Sequence, residues 1–377
     1  MRVFVAGASG ALGSRLVRQL IERGHEVTGT FRSPGNAERL RALGAEPVAL
    51  DLLDADAVRK AVLQARPEAI VHEATALANV RFARNMDRVF AETNRLRTEG
   101  TDALLAAAEE AGVRRFLAQS VATYGRYARE GEPVKTEDDP LEANPPPGMH
   151  ESAAAMRYLD KAVTEAGGIA LRYGAFYGAA NDGLLEPVRK RQFPIVGDGG
   201  GVWSWINLDD AAAATVLALG HDGPAIYNIV DDEPAPVREW LPVLASVLGA
   251  KPPRRFPRWL ARLFAGAPAV MMSTEARGAS NAKAKSELGW TLRYPTWRKG
   301  FVAAYAAMTA THREAELAAQ GAGHEKANPA RDHSEFSVER VVVTAVKTAS
   351  VCDWLTVCAG RRSADAVAVD FADSGSS

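Results

Sequence analysis

The residues whose types and spacing could do chemistry come first in the chain. Gly7, Gly10 and Gly13 recur at every third position within Gly7-Ala8-Ser9-Gly10-Ala11-Leu12-Gly13. A turn without side chains lets backbone N–H groups reach a phosphate, and a helix N-terminus behind it adds a partial positive charge. In such a turn the first glycine allows the tight bend, the second lets a pyrophosphate approach and the third lets the helix pack on its strand. Ser9, Ala11 and Leu12 would line the same cradle. Glycine spacing carries meaning only between a strand and a helix, and that context is met. Arg2-Val3-Phe4-Val5-Ala6 is an apolar run of strand length, while Leu12, Leu16, Leu20 and Ile21 follow at helical spacing. The segment predicts a dinucleotide site.

Two further positions bear on which dinucleotide binds. At the end of a second strand, residues 26–32, an NAD-binding protein usually offers an acid to the ribose 2′-hydroxyl. Here Phe31, Arg32 and Ser33 stand instead. A guanidinium pairs with a 2′-phosphate, which favours NADP with NAD as the alternative; a solvated surface arginine is the bland reading. Asp51, followed by Leu52, ends a third strand at 47–50. It could meet the adenine amino group or cap a helix over 55–63.

These groups need a frame to hold them, and the pattern supplies one. Strands at 69–72 and 114–119 alternate with helices at 37–43, 55–63 and 86–111; a helix at 152–166 precedes a sixth strand at 169–173. Alternation at this spacing predicts an α/β fold with a doubly wound parallel sheet. Ala74, Thr75 and Ala76 are small residues at a strand end, where a backbone can pass close to a cofactor, and Ser120 ends the fifth strand. Gly7, Arg32, Asp51, Ala74 and Ser120 thus converge at the carboxyl ends of strands, where such sheets bind ligands. The proline-rich stretch 131–148 reads as a loop over that edge. Asp209 is expected to cap a helix over 211–219, and 226–230 returns as a strand. Residues 1–178, completed by about 205–232, are read as the nucleotide-binding domain. Segments 179–204 and 233–310 are read as a smaller interleaved substrate lobe, and 321–377 as a poorly ordered tail.

Bulk properties exclude several classes. With 45 basic and 46 acidic residues the net charge is −1, so no global field attracts nucleic acid or an anionic membrane. Apolar stretches at 259–272 and 341–358 are broken by Arg262, Pro268, Lys347 and Asp353, short of the ~20 clean residues of a membrane span. Cys352 and Cys358 are the only cysteines, and the first strand starts at residue 2. Both point to a reducing, cytoplasmic setting without a signal peptide.

With these pieces in hand, residues 1–305 resemble the short-chain dehydrogenase/reductase superfamily, in the extended or atypical branch that includes NAD-dependent epimerases and dehydratases. The resemblance rests on the glycine turn, Asp51-Leu52, Ala74-Thr75-Ala76, Asn94, Ser120 with Tyr124-Gly125, and Leu171-Arg172-Tyr173-Gly174. Gly197-Asp198-Gly199, residues 206–210 and Glu287-Leu288-Gly289-Trp290 complete it. It implies a Rossmann fold and a nicotinamide cofactor that Asn94 and Tyr173 help to hold. It also implies a homodimer, since helices like 86–111 and 152–166 pair in relatives. For catalysis it implies a serine that holds the substrate oxygen, here Ser120, and a tyrosine followed four residues later by lysine. At i and i+4 those two side chains share a helix face, and the ammonium lowers the phenol pKa so that it can exchange a proton near neutral pH.

The chain departs from that pattern in two places. The tyrosine and lysine positions fall near Ser152 and Met156, with no Tyr-x-x-x-Lys there. Tyr158 with Lys161, His150 with Glu151 at the helix start, and Tyr124 are the substitutes to weigh; packing and solvation are the bland readings. Sugar-nucleotide enzymes of the branch usually carry an arginine near Gly201-Val202-Trp203-Ser204-Trp205-Ile206, and here there is none. Trp203 and Trp205 could line an apolar pocket or belong to the core. The expectation is an NADP-dependent oxidoreductase acting on a carbonyl or alcohol of a small, weakly charged metabolite. An epimerase or dehydratase with transient oxidation, or a non-catalytic NADP sensor, stands as the alternative.

Overall fold

The computed structural model describes residues 1–77, 83–179 and 183–306; the tail expected at 321–377, and the end of the lobe segment at 307–310, lie outside them. Seven parallel strands form the main sheet: β1 (Arg2–Ala6), β2 (Glu26–Phe31), β3 (Glu46–Ala49), β4 (Ala69–His72), β5 (Arg115–Val121), β6 (Ile169–Tyr173) and β7 (Ala225–Ile229). Their order is β7-β6-β5-β4-β1-β2-β3. β1, β4 and β6 are mostly apolar and almost wholly buried, as a sheet covered on both faces requires. The direction of winding reverses between β1 and β4, and that switch point opens a crevice at the strands' carboxyl ends.

Each face carries its own apolar layer. On one, α1 (Ala11–Glu22) buries Leu12, Leu16 and Leu20 against the sheet beside α6 (Leu208–Ala218). On the other lie α3 (Ala55–Ala65), α4 (Thr101–Glu110) and α5 (His150–Glu165). Asn207, not Asp209, caps α6, its side chain accepting from the Asp209 N–H at 2.8 Å. Asp209 instead takes Arg15 at 3.0 Å and ties α6 to α1. Likewise Asp54 rather than Asp51 caps α3, accepting from the Ala57 N–H at 3.0 Å.

The single helix expected over 86–111 is broken. Helical segments Met86–Val89 and Ala91–Arg95 lead into a π-turn, Leu96–Gly100, before α4 begins. Wider turns of this kind concentrate at functional sites. Here the Leu96 carbonyl meets the buried His72 Nε2 at 3.2 Å, and Thr98 Oγ1 donates back to the Asn94 carbonyl at 3.1 Å.

A second core gathers away from the sheet, around α7 (Val237–Val247) and α8 (Arg258–Thr274). Trp203, Trp205 and Trp240 are fully buried in it, with ring centroids 4.8–5.8 Å apart. α8 bends at Gly266, whose φ of 84° and close approach to Arg84 Cα leave no room for a side chain.

Under α5 lies a buried ion network. Asp160 pairs with Arg126 and, at 2.8 Å, with Arg172 on β6. A lone guanidinium in such a place carries a large desolvation cost, so the carboxylate holds both side chains in register. Asp160→Asn is expected to remove about 3–5 kcal/mol of stability, read as a lower urea midpoint with an unchanged slope.

Candidate functional site

The glycine turn has the shape that its spacing predicts. Gly7 has φ +86°, and a Cβ there would sit 2.7 Å from the backbone N and Cα of Ala74. A Cβ on Gly13 would lie 2.2 Å from the Gly7 carbonyl, while one on Gly10 would meet only that same carbonyl, at 3.2 Å. Gly10 is therefore open on its outer side, and α1 begins there with no side-chain cap. Ser9 is half-buried, Ala11 exposed and Leu12 buried, so the outer rim of the cradle is largely backbone. A cradle that a Cβ would fill, at an uncapped helix start, fits a pyrophosphate.

Around that cradle the expected cofactor residues fall as follows. Ala74, Thr75 and Ala76 leave β4 directly beside Gly7, and the Ala76 N–H donates to Thr93 Oγ1 at 3.1 Å. Asp51 is exposed and accepts the Leu53 N–H at 3.0 Å, with Leu52 buried behind it. Arg32 stands half-exposed at the end of β2, in an ion pair with Glu92. Sequence reasoning saw no carboxylate near Arg32, but the fold brings this one in from 60 residues away. A surface pair of this exposure is worth under ~1 kcal/mol, so a phosphate can displace it.

At the reacting end, Ser120 sits on β5, 1% exposed, its Oγ without a hydrogen-bond partner among the described residues. Asn94 reaches α5, donating from Nδ2 to Ser152 Oγ at 3.2 Å, while its Oδ1 is buried and unpartnered. Ser152 N and Oγ both donate to Asp87 Oδ1 at 2.8 Å. Met156, one turn on, is buried too, its carbonyl accepting from Arg126 Nη2 at 3.3 Å. The helix positions read from the sequence as those of tyrosine and lysine thus do face inward, and they carry a committed serine and a thioether.

None of the four substitute residues on α5 joins them. Tyr158 is 41% exposed and its hydroxyl donates to Asp102 at 2.7 Å on the outer side of the helix. Lys161 is solvated beside Glu165 at 3.7 Å. Its side chain and that of Tyr158 leave α5 opposite the buried stripe Ser152, Met156, Leu159 and Asp160. His150 is exposed, with Nε2 on the Pro145 carbonyl at 2.7 Å, and Glu151 is exposed beside it. Tyr124, at φ +59°, meets Trp203 edge-on at 5.1 Å and joins the aromatic core to the Ser120 strand end.

Sequence reasoning missed Glu73. It follows β4, is 6% exposed, and accepts from the Tyr173 hydroxyl at 3.0 Å. With its amide group facing Glu73, Gln119 donates to Oε2 at 3.1 Å. Burial pushes the Glu73 carboxyl up to about 8, opposed by the Tyr173 hydrogen bond. Burial also drives His72 down to about 4, so that its ring is neutral. The signal in the sequence was an acid directly after the short strand Ala69–His72, whose first three residues are apolar.

The family model described as the NAD dependent epimerase/dehydratase family matches residues 3–230. The chain belongs to that family. It is 41% identical over 308 residues to the 3-diazoavenalumate denitrifying reductase of a Streptomyces species, covering 80% of this chain and 99% of that one. The 2-alkyl-3-oxoalkanoate reductase of Stenotrophomonas maltophilia is 28% identical, over 66% of this chain and 76% of its own length. Among solved structures, the fold is similar to a UDP-glucose 4-epimerase of Thermus thermophilus in complex with NAD. That match has TM-score 0.62 and 24% identity, covering 82% and 99% of the two chains. A human epimerase family protein with NADPH is similar at TM-score 0.63 and 20% identity, covering 81% and 99%. The family and its named relatives make the chain an NAD(P)-dependent oxidoreductase or epimerase. Among the described residues no helix is long and apolar enough to cross a membrane, and no side-chain cluster has the makings of a metal site.

Two substitution sets separate inner from outer groups. Ser120→Ala is expected to lower kcat by about 100-fold, the loss typical of one oxygen-holding donor. Tyr158→Phe and Lys161→Ala should stay within about twofold of the parent, as surface changes away from the site do. Steady-state coenzyme oxidation measures both, and a large loss in the second set would return the pair to the site.

Proposed function

We propose that this family member is an NADPH-dependent reductase that directs hydride to an electron-poor carbon of a small aromatic substrate without drawing a proton from the usual tyrosine. A bound nicotinamide supplies the hydride. The observation that carries the reading is the pair of buried residues at the helix positions in question. Ser152 is held by Asp87 and Asn94, and Met156 has no proton to give. Reducing a carbonyl leaves an alkoxide that must be protonated, which is the work of an acid with a tuned pKa. A ring carbon bearing a diazonium group makes no such demand: the hydride forms the new C–H bond, the C–N bond breaks, and its electron pair leaves with dinitrogen. The name of the 41% identical relative, a denitrifying reductase of a diazo compound, supports this class of acceptor. Tyr124, seated on Trp203 beside the Ser120 strand end, offers an aromatic wall.

A second reading, carbonyl reduction, is favoured by the unpartnered Ser120 Oγ, a donor suited to a carbonyl oxygen. Two relatives are named for reducing oxo compounds. The preference for the phosphorylated coenzyme rests on Arg32, whose pairing with Glu92 is exposed and weak.

Deuterium from NADPH labelled at C4 distinguishes the acceptors. With an aryl diazo carboxylate, the label is expected on the ring carbon that lost nitrogen, with one dinitrogen released per coenzyme consumed. Turnover confined to ketones would overturn the first reading. Arg32→Ala is expected to weaken NADPH binding about 10- to 100-fold, the range of a charge-assisted contact, and NADH binding by less than about twofold. Equal losses for the two coenzymes would remove Arg32 from their discrimination.

A further inference from the structure

We propose that Glu73 is a coenzyme-linked proton site: it holds its proton beside the reduced coenzyme and gives it up to solvent when the oxidised, cationic form binds. The proposal rests on the nicotinamide reading above and extends it to a residue that reading leaves unused.

Its first support is position. Along the sheet edge, β4 lies between β1, which carries the phosphate cradle, and β5, which carries Ser120. A coenzyme reaching from one to the other must cross the end of β4. Glu73 stands there, immediately before Ala74, whose backbone touches Gly7.

Proton counting supplies the second. The Tyr173 hydroxyl lies 3.0 Å from Glu73 Oε1 and 2.6 Å from Thr215 Oγ1, where either hydroxyl can donate; Thr215 Oγ1 also reaches the Ala211 carbonyl at 2.8 Å. These are three contacts served by two hydroxyl hydrogens. All three are made only when the carboxyl contributes a hydrogen of its own. If Glu73 is ionised, Tyr173 turns its hydrogen to the carboxylate, Thr215 donates to Tyr173, and the Ala211 contact is lost. One proton on Glu73 therefore switches the direction of the whole chain.

Third, no cationic side chain faces the carboxyl among the described residues. The groups facing the carboxyl are Tyr173 from β6 and Gln119 from β5, both neutral. His72 is neutral and bonded to Leu96. On the helices that cover this face, Arg15 is bound to Asp209, and Asp210 accepts the backbone N–H groups of Arg293 and Tyr294. A buried carboxylate without a cationic partner is costly, and the oxidised ring brings the positive charge that is missing. No electron changes hands at the carboxyl; only a proton leaves it.

Titration calorimetry of the full chain, in two buffers of different ionisation enthalpy near neutral pH, tests this. Binding of NADP⁺ is expected to release close to one proton and binding of NADPH none. Kd for NADP⁺ should fall about tenfold per pH unit as pH rises toward 8, where the free carboxyl ionises unaided, and flatten above it. In Glu73→Gln both forms should still bind, with the release and the slope gone. The wild-type difference is readable without that variant, should it fail to fold. Equal release for the two forms, or release that survives in Glu73→Gln, overturns the proposal while leaving the coenzyme site intact. No heat with either form, or with their NAD counterparts, overturns the coenzyme reading and the proposal with it.

Discussion

The site depends on one contact with no side chain in it: the turn after β1 lies against the turn after β4, with Gly7 facing the backbone of Ala74. Any Cβ at Gly7 would overlap that backbone, and one at Gly13 would overlap the Gly7 carbonyl. Because β1 and β4 are also the strands between which the winding reverses, this close backbone approach falls where the crevice opens. Phosphate cradle, acid after β4 and serine on β5 are thereby set in a row by sheet geometry, before any side-chain chemistry is considered.

Along that row the buried polar groups differ in how far the protein itself satisfies them. Ser120 and Asn94 retain buried, unsatisfied atoms of the kind that ligands complete. The α5 stripe is different: Ser152 is satisfied twice over, and Met156 is apolar. Meanwhile an ionisable carboxyl sits on the other face of the sheet, at Glu73, bonded to Tyr173.

Much of this was legible from residue order. Short-range patterns carried the strands, the glycine turn and the position of Ser120, while the helix positions Ser152 and Met156 came from the family resemblance. What escaped was set by partners far apart in sequence. Glu92 reaches Arg32 and Tyr173 reaches Glu73 only through the fold. The caps moved for a local reason: at both helix starts two polar residues competed, and backbone geometry chose Asn207 and Asp54. The π-turn at Leu96–Gly100 leaves no trace in apolar periodicity, which is why 86–111 read as one helix. Tyr158 and Lys161, three residues apart, do share one face of α5, but it is the outer one.

Arg15 deserves a last consequence. From the first turn of α1 its guanidinium holds the Ala11 carbonyl at 2.9 Å, the Gly178 carbonyl at 2.8 Å and Asp209. Gly178 directly follows Tyr177, a residue of the aromatic core on a short strand beyond β6. One planar group thus rivets the anion-binding helix to the strap from which the tryptophan-rich half hangs. A displacement of α1 therefore strains the contact at Gly178 as well, because one guanidinium carries both.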